Sequence, residues 1–104
     1  MNTYAIRRRS GWRSPTDLDE AGARSKKVGE EEMPDRVRWI RSYVIAEDDG
    51  GLGTICIYQA ESPKAIREHA SRAQLPCDEI VRVADTVIAR PDPQPERAGV
   101  QGNS

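Results

Sequence analysis

Val37-Arg38-Trp39-Ile40-Arg41-Ser42-Tyr43-Val44-Ile45-Ala46-Glu47, then Asp48-Asp49-Gly50-Gly51, then Leu52-Gly53-Thr54-Ile55-Cys56-Ile57-Tyr58-Gln59-Ala60, decides the fold. The first segment is rich in β-branched and aromatic residues and predicts a strand. In it Trp39, Tyr43 and Ile45 share one parity while Ile40, Val44 and Ala46 share the other, so both faces carry apolar groups. The Asp-Asp-Gly-Gly stretch predicts a hairpin turn, because Asp and Gly tolerate positive φ. The returning strand places Cys56 and Tyr58 on one face and Ile55 and Ile57 on the other. A two-strand hairpin is not stable alone. Its partners must come from the flanking sequence.

Outward from the hairpin, Ser62-Pro63 reads as a helix start, with Ser62 as cap and Pro63 at the first helical position. The helix is expected to run to about Ala73, before Leu75-Pro76 stops it. Ala65, Ile66, His69, Ala70 and Ala73 form its inner stripe, and Lys64, Glu68 and Arg72 are spaced to pair along the outer side. On the N-terminal side, Ser14-Pro15 repeats the device, with Leu18, Ala21, Ser25 and Val28 near one face. Gly22 weakens that helix by about 1 kcal/mol relative to Ala, and Gly29 and Met33-Pro34-Asp35 close it. A first strand is expected over Tyr4 to Arg9, ended by Ser10-Gly11, and a last one over Glu79 to Arg90. From Pro91 onward there are three prolines, two glycines and no aromatic residue, so residues 91–104 are expected to be a disordered tail.

The order is strand, helix, hairpin, helix, strand. Its compact solution is a ferredoxin-like β-α-β-β-α-β α+β domain over residues 1–90, one four-stranded antiparallel sheet with both helices on one face. The other face is then bare yet carries aliphatic side chains, and an exposed apolar patch of that kind marks a partner surface. A second copy is the simplest partner, giving a dimeric barrel-like homodimer.

Composition narrows the function classes. With 104 residues the chain has room for one domain, and 37% hydrophobic against 32% charged residues is soluble and globular at the polar end. A formal charge of -1 gives no general attraction to nucleic acid or anionic membrane. No apolar run approaches the roughly 20 residues of a membrane span, and nothing resembles a signal peptide. A cytoplasmic location follows as the expectation, with Cys56 and Cys77 as free thiols, since the two are not in CxxC spacing.

The hairpin strands, together with Ser62-Pro63-Lys64-Ala65-Ile66-Arg67-Glu68-His69-Ala70, Leu75-Pro76 and Ile80-Val81-Arg82-Val83, resemble a small bacterial domain family labelled nickel-binding-protein-like. The resemblance spans about Tyr4 to Arg90 and is closest from Val37 onward. It implies a ferredoxin-like domain that dimerises and binds Ni2+ or another divalent transition metal. Imidazole and thiolate are the side chains such ions prefer, which makes His69, the only histidine, Cys77 and Cys56 the candidate ligands, with Asp78 or Glu79 as carboxylate donors. The plainer reading makes His69 a hydrogen-bonded member of its helix's inner stripe and Cys56 a small core hydrophobe.

The alternative is a cofactor-free enzyme or small-molecule-binding protein of the dimeric α+β barrel type. Its candidate pocket residues are Trp39, Tyr43, Tyr58 and Arg41, with His69 nearby. One His beside Tyr or Arg can act as a base or hold a small anion. No second acid-base partner and no nucleophile motif stand out, so enzymatic activity is not the favoured expectation, and the plainer reading packs the aromatics into the sheet and dimer interface. Single-stranded RNA readers share the element order but place two or three aromatics on the third strand, where Gly53-Thr54-Ile55-Cys56-Ile57-Tyr58 has one. The basic run Arg7-Arg8-Arg9 with Arg13 is offset by Glu30-Glu31-Glu32 and Asp48-Asp49 and reads as a solvated face. Gly50-Gly51-Leu52-Gly53 joins two strands, whereas a phosphate-binding loop must open a helix.

Overall fold

The computed structural model describes residues 1–93. Its elements follow the expected order: β1 (Asn2–Trp12), α1 (Pro15–Lys27) continued by a π-helical turn (Val28–Glu32), β2 (Val37–Ala46), β3 (Leu52–Ala60), α2 (Pro63–Ala73) and β4 (Glu79–Val83). The strands form one sheet in the order β2-β3-β1-β4, with every neighbouring pair antiparallel. This is the ferredoxin-like α+β fold. No helix among the described residues is long and apolar enough to cross a membrane.

Both helices begin as their sequences dictate. The Ser14 hydroxyl accepts from the Asp17 amide at 3.2 Å, and the Ser62 hydroxyl from the Ala65 amide at 3.1 Å, each followed by a proline that has no amide hydrogen to satisfy. Helix α2 ends at Gln74, which takes the left-handed conformation. All five expected inner residues of α2 are buried. On its outer side Glu68 pairs with Arg72 at 2.6 Å and with Arg36 at 2.9 Å. The hairpin turn uses Gly50 at φ 86, and the Asp49 carboxylate accepts from the Gly51 amide at 2.8 Å.

Strand alternation sorts the two faces. Tyr4, Ile6 and Arg8 of β1 and Thr54, Cys56, Tyr58 and Ala60 of β3 are buried beneath the helices. The core joins them to Val28, Met33, Val37, Ile66 and the alanines of α2. The opposite face presents Ala5, Ile55, Ile57, Tyr43, Val81 and Val83, by their pairing register.

Two strand ends and one register differ from the sequence expectation. Strand β1 does not stop at Ser10-Gly11. It absorbs an irregularity between Arg8 and Trp12, where Ser10 sits at φ 47, and then resumes against Leu52. The Glu47 carboxylate pins this bulge, accepting from the Ser10 amide at 3.0 Å and from the Arg7 guanidinium at 2.9 Å. Strand β4 ends at Val83, not Arg90. Among the described residues it pairs with β1 alone, and the last pair is Thr3 with Val83. Finally, β2 and β3 slip register between Trp39 and Arg41. An extra residue there inverts the parity beyond it, so Trp39 and Tyr43 lie on opposite faces and not on the same one. Of the expected tail, residues 94–104 lie outside the described residues. Asp92 is placed, accepting from Arg41 at 2.8 Å and from the Tyr43 hydroxyl at 2.9 Å.

Candidate functional site

Between α1 and the helix-side face of β1, β3 and β2 lies a cavity of about 290 Å³. Its walls are largely apolar or aromatic: Trp12, Leu18, Ala21, Trp39, Val44 and Leu75. Polar groups enter from Ser25, Ser42, Thr54, Cys56, Tyr58 and Arg8, and Asp19 stands exposed at the rim. Strand β2 is the sheet edge, and its inward-facing Trp39 and Val44 remain exposed. The cavity therefore opens along β2. Small residues on α1 leave the space, because a Cβ added to Gly22 would still stand 3.9 Å from the Trp39 ring.

The polar groups are mostly fixed by one another. The Ser25 and Tyr58 hydroxyls are 2.6 Å apart and both buried. Burial raises the Tyr58 phenol above its ordinary pKa, opposed by the Ser25 hydrogen bond and the Arg8 charge. The Trp39 indole lies parallel to the Tyr58 ring at 6.2 Å, and its N–H donates to the Ser42 hydroxyl at 2.8 Å. The Cys56 thiol donates to the Thr54 hydroxyl at 3.2 Å.

Arg8 is the exception. It is 1% exposed, and its guanidinium lies 6.0 Å from the centre of the Tyr58 ring. Its Nη1 donates to the Pro76 carbonyl, while its Nη2 has no hydrogen-bond partner among the described residues. Trp12 was not singled out from sequence, and Arg8 was read only as part of a solvated basic run, which its burial corrects. The signal for Arg8 was present, because it continues the alternation of Tyr4 and Ile6 onto the buried face.

The residues expected to form a pocket are split by the β2 bulge. Trp39 and Tyr58 meet on the helix side, whereas Arg41 and Tyr43 lie on the open face, joined through Asp92. The expected metal ligands are likewise apart. His69 is buried on α2 with Nε2 held 3.0 Å from the Ser25 carbonyl, Cys56 faces Thr54, and Cys77 is half-buried in the loop before β4. Asp78 and Glu79 engage Arg9. Burial, and secondarily the Arg8 charge, lowers the His69 pKa against the raising effect of the Ser25 bond. Among the described residues no three His, Cys, Asp or Glu side chains gather as a metal site would require. The donors of one chain do not fit a nickel centre as they stand.

The sequence pattern of the family described as nickel responsive protein SCO4226-like matches residues 4–83. The chain belongs to that family. Among solved structures it resembles the crystal structure of SCO4226 from Streptomyces coelicolor A3(2), with a TM-score of 0.66 and 19% identity. That alignment covers 82% of this chain and 99% of SCO4226, and at such identity it supports the shared fold. A comparison with curated proteins finds no match. The matched segment ends where β4 ends, so the SCO4226-like unit is the sheet with its two helices.

Proposed function

We propose that the chain is a homodimeric ligand-binding domain whose ligand site is the cavity between α1 and the sheet. The observation that supports it is the cavity itself: largely apolar walls, a few converging polar groups and an opening at a sheet edge, which is the usual build of a small-molecule site. Both tryptophans of the chain line it, so intrinsic fluorescence reports occupancy directly. A panel of small organic molecules screened by fluorescence and thermal unfolding tests the reading. A ligand at a hundredfold excess over its Kd stabilises by about 2.7 kcal/mol, an easily measured rise in Tm. A panel in which no member changes either signal would count against it.

The open sheet face is the surface we propose for the second chain of the dimer. Tyr43 and Val81 are exposed there, and the segment after β4 runs along that side, anchored at Asp92, with Val87 92% and Ile88 71% exposed. An apolar surface of this kind is rarely left in water.

A divalent transition metal is the second reading, favoured by the family's description as nickel responsive. Because no three ligands gather among the described residues of one chain, the reading calls for donors from two copies. Equilibrium dialysis with nickel, cobalt and zinc tests it. A stoichiometric site supports it, and no uptake at micromolar metal removes it.

A further inference from the structure

Arg7-Arg8-Arg9 is three guanidiniums in sequence, yet strand alternation gives them unlike fates. Arg7 faces away from the core and pairs with Glu47 at 2.9 Å, and Arg9 pairs with Glu79 at 3.3 Å. Arg8 points inward and takes part in no ion pair among the described residues, although it is the most deeply buried cation of the three. A guanidinium does not give up its proton inside a protein. A buried charge without a partner is costly, and nature normally pairs it. Here the Pro76 carbonyl and the Tyr58 ring offer partial compensation, and Arg8, its Nη2 unpartnered and closed off from solvent, lines a cavity wide enough to admit a guest. Asp19, the carboxylate that lines the same cavity, is exposed and forms no bridge to it.

We propose that Arg8 anchors an organic monocarboxylate in this cavity, the guanidinium turning its unpartnered Nη2 toward the carboxylate and a flat apolar body lying against Trp12 and Trp39. This rests on the reading of the cavity as the ligand site and adds the class of ligand. One negative charge neutralises the one unpaired positive charge. A phosphate dianion would leave an uncompensated charge between aromatic walls, which is why a carboxylate is assigned. A volume of about 290 Å³ equals that of about ten waters at liquid density, so the guest is small, on the scale of a single aromatic ring with a short acid arm. Aromatic walls suit such a ring.

The probes are phenylacetate, its neutral isostere phenylacetamide, and inorganic phosphate, each titrated into the full chain with tryptophan fluorescence as readout. The variant is Arg8→Met, and its unfolding is recorded alongside. The expected result is saturable binding of phenylacetate, weaker binding of phenylacetamide by about tenfold or more, and loss of the difference in Arg8→Met. Replacing an unpaired buried charge by an apolar side chain of similar length should leave the unliganded fold as stable as before. If phenylacetamide binds as tightly as phenylacetate, the cavity is a ligand site but the anionic anchor is wrong. Tighter binding of phosphate overturns the carboxylate assignment. No binding by any probe overturns the anchor, while the wider panel still decides whether the cavity is a site at all. Should Arg8→Met fail to fold, the wild-type comparison of the acid with its amide still decides the question.

Discussion

The buried pair of Ser25 and Tyr58 offers the most direct check on how α1 is held over the cavity. Their hydroxyls are 2.6 Å apart, with Ser25 4% and Tyr58 2% exposed. Removing one hydroxyl strands the other away from water, and a buried donor or acceptor left unsatisfied costs about 1–3 kcal/mol. Tyr58→Phe and Ser25→Ala are therefore each expected to destabilise by about 1–2 kcal/mol, since the ring, which stacks on Trp39, is retained in the first. Removing both leaves nothing stranded. The double variant should fall little below either single one, giving a coupling of about 1 kcal/mol or more. Urea unfolding at neutral pH measures all four proteins, and the phenol is protonated throughout because burial holds its pKa above the ordinary value. In a domain of this size each kcal/mol also moves Tm by about 4–8 °C. If the two single effects add to within about 0.3–0.5 kcal/mol, the hydroxyls are independent and the contact does not tie α1 to β3.

His69 has a lowered pKa, so the unfolded chain binds its proton more readily than the fold does, and stability is expected to fall as pH drops below about 6.5. That window lies above the one for Glu47, Glu68 and Asp49, whose lowered values place their losses below about pH 4.5. Urea midpoints between pH 7 and 5 should slope in the wild type and flatten in His69→Gln; a flat wild-type profile would refute the assignment. Gly22→Ala should stabilise by about 0.5–1 kcal/mol, because the helix gains propensity and the new methyl meets Trp39 at an ordinary 3.9 Å. A loss of stability would mean that α1 lies closer to β2 than described. Paired substitution of Val87 and Ile88 by Asp should convert a dimer into a monomer in sedimentation velocity, and a wild-type chain that sediments as a monomer at tens of micromolar removes the dimer.

Local signals carried the fold further than they carried the site. Ser-Pro pairs, the Asp-Asp-Gly-Gly turn and the alanine stripe of α2 act within a few residues of where they stand, and each element they mark is present. The end of β4 was not legible, because Val87 and Ile88 have strand-like sequence but β1 offers them no partner. The β2 bulge was hidden for the same reason. A slip at Ile40 is a property of the pairing of two strands, and the parity of Trp39 and Tyr43 read from β2 alone was correct arithmetic on a wrong register. Arg8 was masked by its neighbours. A run of three arginines reads as a surface feature until alternation is applied to it, and applying it places the middle one beside Ile6 in the core.

The cavity itself follows from how the two helices differ. Helix α2 lays Ala65, Ile66, His69, Ala70 and Ala73 against the sheet and buries them all. Helix α1 offers small residues on its inner side, Ala21, Gly22 and Ser25, but opposite them stands the edge strand, whose inward side chains Trp39 and Val44 are still exposed. Small residues facing an edge cannot close the gap. A gap of this size in an ordinary core would be filled or left apolar and dry. This one has a charge on its floor, and that charge cannot be discarded by deprotonation. The bulge pinned by Glu47 lies just beyond Arg8 on the same strand and fixes where the inward alternation ends. Apolar walls would alone be consistent with loose packing. Apolar walls around one fixed and unpaired guanidinium are the pairing on which the proposed ligand site rests.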